Sequence, residues 1–153
     1  MPVPVSELIS RHILTTVATV TVANGYSYNL TVQRHAKSGD KRTHLNTIIV
    51  QDDPREGTDG QVYNTREWVL PFVVGCYIVP LETDTTPIDT YVNIIAADIE
   101  KALMVDRYRG GNAMDTTIRA SHTISEGLEY DCIVVNVEVS YRTSELDPYV
   151  NAK

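Results

Sequence analysis

The chain has 153 residues, an apolar fraction of 42% and a net charge of -7, which fits one domain with a sizeable core and argues against disorder over most of its length. The acidic balance, with a pI near 5, argues against general nucleic-acid binding, because phosphates need Lys or Arg to neutralise them. The longest apolar run, Val69 to Leu81, is shorter than the roughly 20 residues a membrane-spanning helix takes. Met1-Pro2-Val3-Pro4 lacks the basic and apolar regions of a signal peptide.

A first helix is predicted from Val5, Leu8, Ile9, Ile13, Val17 and Val20, which recur at three- and four-residue spacing. Pro2 and Pro4 suit its start, and Asn24-Gly25 its stop. Tyr26, Tyr28, Leu30 and Val32 then alternate with polar residues, as in a half-buried strand. With a second strand from His44 to Gln51 they predict a hairpin, joined by the basic turn His35 to Arg42. Asp52 to Arg66 has no period and holds Pro54, Gly57, Gly60 and four acids, so an exposed, flexible loop is expected.

Glu67 to Pro80 is the most apolar strand. Trp68, Leu70, Phe72, Val74, Cys76 and Ile78 share one face, and Val69, Val73, Tyr77 and Val79 the other. A strand apolar on both sides is covered on both sides, so a second subunit is a candidate cover. Pro71 and Gly75 suggest a bulge or an edge. Thr86-Pro87-Ile88-Asp89 opens a second helix, with Thr86 as its cap, and Ile88, Tyr91, Val92, Ile95, Ile99, Ala102 and Leu103 mark its apolar face. Two closing strands follow, Asp115 to Ser125 and Glu129 to Arg142, and His122 falls on the inward face of the first. The polar tail from about residue 144 is expected to be loose. The sum is one α+β domain over residues 1–153: a mainly antiparallel sheet of about five strands, with two helices packed on one face.

Catalytic and metal motifs are not apparent in the sequence. His12, His35, His44 and His122 have no metal-ligand spacing, and Cys76 and Cys132, each inside an apolar run, fit small buried hydrophobes. From Asp52, a calcium loop would need acids or amides where Pro54 stands, so that match fails. Asn29-Leu30-Thr31 matches a glycosylation sequon by coincidence in a predicted strand. No enzyme activity and no cofactor are expected. The competing readings are a small hydrolase using the acids of Asp52 to Asp59 with His35 or His44, and a binding module using the basic turn Lys37 to Arg42.

The order of elements resembles the tail terminator (tail-completion) proteins of tailed bacteriophages and the related minor tail and neck proteins. Four segments carry the resemblance. They are the N-terminal helix running into Gly25-Tyr26-Ser27-Tyr28-Asn29-Leu30, the strand Trp68 to Val79, the helix from Thr86, and Val137-Glu138-Val139-Ser140-Tyr141-Arg142-Thr143 followed by Asp147-Pro148-Tyr149. The resemblance covers most of the chain as a pattern of elements, with no single diagnostic residue. It implies a homo-oligomeric ring, commonly a hexamer, that caps the tail tube and joins it to head-completion or neck proteins. DNA would pass through the lumen without specific binding, no membrane is involved, and the protein would be made in the host cytoplasm and end in the virion. Exposure and composition select three contact regions. They are the loop 52–66 with Asp52, Asp53, Arg55, Glu56, Asp59 and Arg66, the turn 37–42 with Lys37, Lys41 and Arg42, and the tail with Tyr141, Arg142, Asp147 and Tyr149.

Overall fold

A computed structural model describes residues 1–36, 39, 42–52, 56–60, 62–79, 81–125 and 130–152, with Glu56 described by its backbone. Its elements are α1 (Val5–Val17), β1 (Thr31–Arg34), β2 (Asn46–Gln51), β3 (Glu56–Asp59), β4 (Thr65–Ile78), α2 (Ile88–Val105), β5 (Asp115–Ser125) and β6 (Asp131–Ser144). The described strands form one six-stranded sheet ordered β1-β2-β4-β6-β5, with β3 beside β2 along β4. The α+β class, the two helices and the mainly antiparallel sheet match the sequence expectation.

Both helices cover one face. Val5, Ile9, Ile13 and Val17 of α1, four residues apart, and Ile95, Ile99, Ala102 and Leu103 of α2 join one core with Leu70, Phe72, Val74, Cys76 and Ile78 of β4. Val135, Val137, Val139 and Tyr141 of β6 complete it. These strand residues alternate, so each strand turns every second side chain to the helices. The opposite face, with Val69 at 38% exposure, carries no helix among the described residues.

Helix α1 ends earlier than expected. Its last turn runs into Thr15-Thr16-Val17-Ala18-Thr19, where β-branched residues lower helix propensity. The Thr15 and Thr19 hydroxyls donate to backbone carbonyls three or four residues back. Asn24 instead ends a separate 3-10 turn, Val22–Asn24, closed by Gly25 at φ 87°. At α2 the cap shifts by one residue: Pro87 occupies it without a side-chain bond. The turn before it is held by Asp84, which accepts from the Thr86 N–H (2.9 Å) and the Tyr91 hydroxyl. The Tyr91 hydrogen bond, ahead of that from Thr86, lowers the Asp84 carboxyl to about 2.

The predicted β1–β2 hairpin is a correction: the two strands pair in parallel, Thr31 beside Asn46 through Arg34 beside Ile49. Tyr26 and Tyr28 lie outside the strand. Tyr28 packs on Tyr91 with ring centroids 5.1 Å apart, and Lys101 Nζ lies 5.1 Å from the Tyr26 ring. Their alternation reflects docking on α2 rather than strand pairing. A second correction concerns the loop 52–66, which contains β3, paired antiparallel with Arg66–Val69.

Pro71 sits inside β4, where a missing N–H would normally break a ladder. It falls in the gap between the β2 and β3 pairings, which cover Phe72–Cys76 and Arg66–Val69. Its carbonyl accepts from the Asp52 N–H at 2.9 Å. The predicted inward His122 is also corrected. The β5–β6 register shifts between Ile118 and Ala120, after which Ala120, His122 and Ile124 lie beside Asn136, Val134 and Cys132 on the open face. His122 is exposed. Cys76 and Cys132 lie on opposite faces of the sheet and are not joined by a disulfide, and burial pushes the Cys76 thiol up to about 12. Among the described residues, no helix is long and apolar enough to cross a membrane.

Candidate interaction surface

The start of β4 and the end of β6 meet at one end of the sheet, where Thr65 pairs with Ser144. Trp68 organises this end. Its ring stacks on Tyr141 with centroids 6.4 Å apart, its Nε1 donates to Thr143 Oγ1 at 2.9 Å, and Arg66 lies 5.3 Å above it. Gly57 of β3 passes under the ring so closely that a Cβ there would sit 2.6 Å from the Trp68 ring carbons. Arg142 donates to Glu67 at 2.5 Å across the β4–β6 pair.

The C-terminal tail, expected to be loose, is tied back onto this framework. The Glu145 N–H donates to the Asn64 carbonyl (2.9 Å), Ser144 to Val150 (3.0 Å) and Ala152 to Arg142 (3.2 Å). The Pro148 carbonyl accepts from Val5, at the start of α1 (3.2 Å). Asn151 Nδ2 donates to the Gly111 carbonyl at 2.9 Å, joining the tail to the turn after α2. The β3–β4 turn, the tail and the 106–114 turn therefore form one connected rim.

That rim carries large apolar side chains in solvent. Tyr63 is 89% exposed and Leu146 93%, with Val62, Tyr149 and Val150 each about half exposed. Tyr108 and Met114 are exposed on the adjoining turn. Met114 lines two clefts: one of about 210 Å³ with Thr58, Glu67, Trp68, Val69, Ser140 and Tyr141, and one of about 510 Å³ with Asp106, Tyr108, Gly110, Gly111 and Ala113. Single exposed hydrophobes are ordinary, whereas their concentration on one connected rim makes it the candidate interaction surface.

A buried arginine fixes the 106–114 turn. Arg109, at φ 50°, is fully buried. Its Nη2 donates to the Leu103 carbonyl and its Nε to Thr116 Oγ1 at 3.1 Å. The cation thus meets a carbonyl in the last turn of α2, the favourable end of the helix dipole. Burial lowers its pKa, opposed by Asp106. Asp106 accepts from the Gly110 and Tyr108 N–H groups, which hold its carboxyl below the usual range. It also lies 3.3 Å from His12 Nε2. Burial, then Arg109, lowers the His12 pKa, and Asp106 opposes them.

The expected contact residues separate accordingly. Asp59 and Arg66 are exposed partners in the β3–β4 pair, and Tyr149 and Asp147 lie on the rim, with Asp147 accepting from the Tyr149 N–H. Tyr141 is 1% exposed and stacks on Trp68, while Arg142 is engaged by Glu67. Asp52 is exposed midway along the sheet. Arg42 lies at the far end, 5.2 Å from the Tyr130 ring. Lys37, Lys41, Asp53, Arg55 and the Glu56 side chain lie outside the described residues. His44, which accepts from the Val79 N–H, stands at the opposite end of β4 from Asp59, about 40 Å away at strand spacing. Sequence reasoning missed Tyr63, Leu146, Val150, Tyr108 and Met114; their one signal is a large apolar residue inside a polar turn or tail. No group of three or more His, Cys, Asp or Glu among the described residues is placed to hold a metal ion. No protein-family model matches the chain, and no curated protein matches it.

Proposed function

We propose that the protein is a structural assembly component, a tail terminator that forms a ring, caps the tail tube of a phage particle and joins it to the head or neck. One observation carries this reading: two segments selected as contact regions, 52–66 and the C-terminal tail, converge on one rim that exposes Tyr63, Leu146, Tyr149 and Val150. Exposed apolar groups on a rigid, hydrogen-bonded frame suit repeated subunit contact, and head-to-tail contacts form a ring when the rotation between subunits closes. The acidic balance suits a lumen through which DNA slides without adhering.

The test is to add the purified protein to tail-tube protein during polymerisation. A terminator arrests elongation and is seen as a ring on the tube end by negative stain. A neck or other minor tail protein, the nearest alternative, binds finished tails and leaves elongation unchanged. No effect on elongation and no binding to tubes or tails would contradict both.

A further inference from the structure

The edge strand β5 offers a second, separate surface. It closes one side of the described sheet, with β6 on its inner side and no described strand beyond it. After the register shift at Ile118, every residue from Arg119 to Ser125 is exposed. Open edges present unpaired backbone groups, and proteins usually blunt them with Pro, Lys, bulges or short strands. The other outer strands are blunted: β1 and β3 have four residues each, and Arg34 of β1 is tied to Glu7 at 2.9 Å. The stretch Arg119-Ala120-Ser121-His122-Thr123-Ile124-Ser125 has no Pro, Gly or Lys. Its bulge lies at the start, and its one permanent charge, Arg119, is held by Glu138 at 2.7 Å.

We propose that β5 pairs antiparallel with β5 of a second copy of this chain, about a two-fold axis through His122. The second copy is favoured because the stretch is self-complementary. Full overlap of Arg119–Ser125 places its midpoint, His122, opposite itself. Arg119 then faces Ser125, Ala120 faces Ile124 and Ser121 faces Thr123, so no like permanent charges oppose each other and each pair has one small member. Even-numbered residues of both copies stay on the open face, so two sheets continue as one. On that face His122 is flanked by Ala120, Ile124, Cys132, Val134 and Asn136, none of them charged at neutral pH. A two-fold contact cannot close a ring by itself, and the proposal does not rest on the tail reading.

Sedimentation of the intact protein over a range of concentrations tests it. Wild type is expected to form dimers. His122→Lys opposes two ammonium groups at the axis and is expected to weaken the dimer several-fold at low salt, with recovery at high salt. His122→Thr is expected to dimerise as wild type does. In a Cys132→Ser background, His122→Cys brings two thiols within disulfide reach and should crosslink on mild oxidation, while Arg119→Cys should not. A wild-type monomer at all concentrations, or crosslinking at position 119 as readily as at 122, would overturn the proposal. So would a head-to-tail ring without the 122 crosslink, an outcome that leaves the tail reading intact.

Discussion

Arg109 is a fully buried cation whose planar head reaches two acceptors on different elements, the Leu103 carbonyl of α2 and Thr116 of β5. Arg109→Ala leaves that carbonyl without its donor and opens a cavity, and is expected to cost about 2–4 kcal/mol in chemical denaturation. Arg109→Lys should recover only part of this, since an ammonium cannot reproduce the fork. His12 gives a pH dependence. Its folded pKa is lowered, chiefly by burial, so the unfolded chain binds more protons in the window below about 6.5. Stability is therefore full above that value and falls as pH drops through the window. His12→Gln should flatten this part of the stability–pH curve; an unchanged slope would show that other groups set it. None of this was legible in the sequence, where Arg109 is one charged residue in a Gly-rich turn.

At the level of elements, the hydrophobic period predicted what a single face determines. The apolar stripe of α2 and the buried faces of β4 and β6 lie where the spacing of Ile95, Ile99, Phe72, Val74, Val135 and Val137 puts them. Three features depend on partners that no local pattern encodes. Tyr26 and Tyr28 alternate because α2 lies beside them. The four residues of β3 have weak strand propensity and pair because Gly57 admits the Trp68 ring. The β5 bulge reverses the facing of His122. The contact segments were legible as segments, but the tail reads as loose because its anchors are backbone bonds to Asn64, Arg142 and Val5. Gly57→Val forces carbon into the Trp68 ring and is expected to cost about 1–3 kcal/mol. Trp68 is the sole tryptophan, so its fluorescence reports the loss; an unchanged emission and midpoint would contradict the close packing.

For the whole molecule, polarity is the main consequence. One end of the sheet carries the apolar rim, and the far end carries Arg42 over Tyr130. Tyr63 and Leu146 contribute almost nothing to the core, so replacing both with Ser should leave the unfolding midpoint within about 0.5 kcal/mol of wild type. The same change should remove assembly. The most direct test is binding of wild type and Tyr63→Ser/Leu146→Ser to purified tail tubes, scored by co-sedimentation and negative stain. The expected result is a closed ring on tube ends for wild type and a folded protein that stays off the tube for the variant. Wild type that ignores the tubes, or a variant that caps them equally well, would contradict the proposal that this rim serves tail assembly.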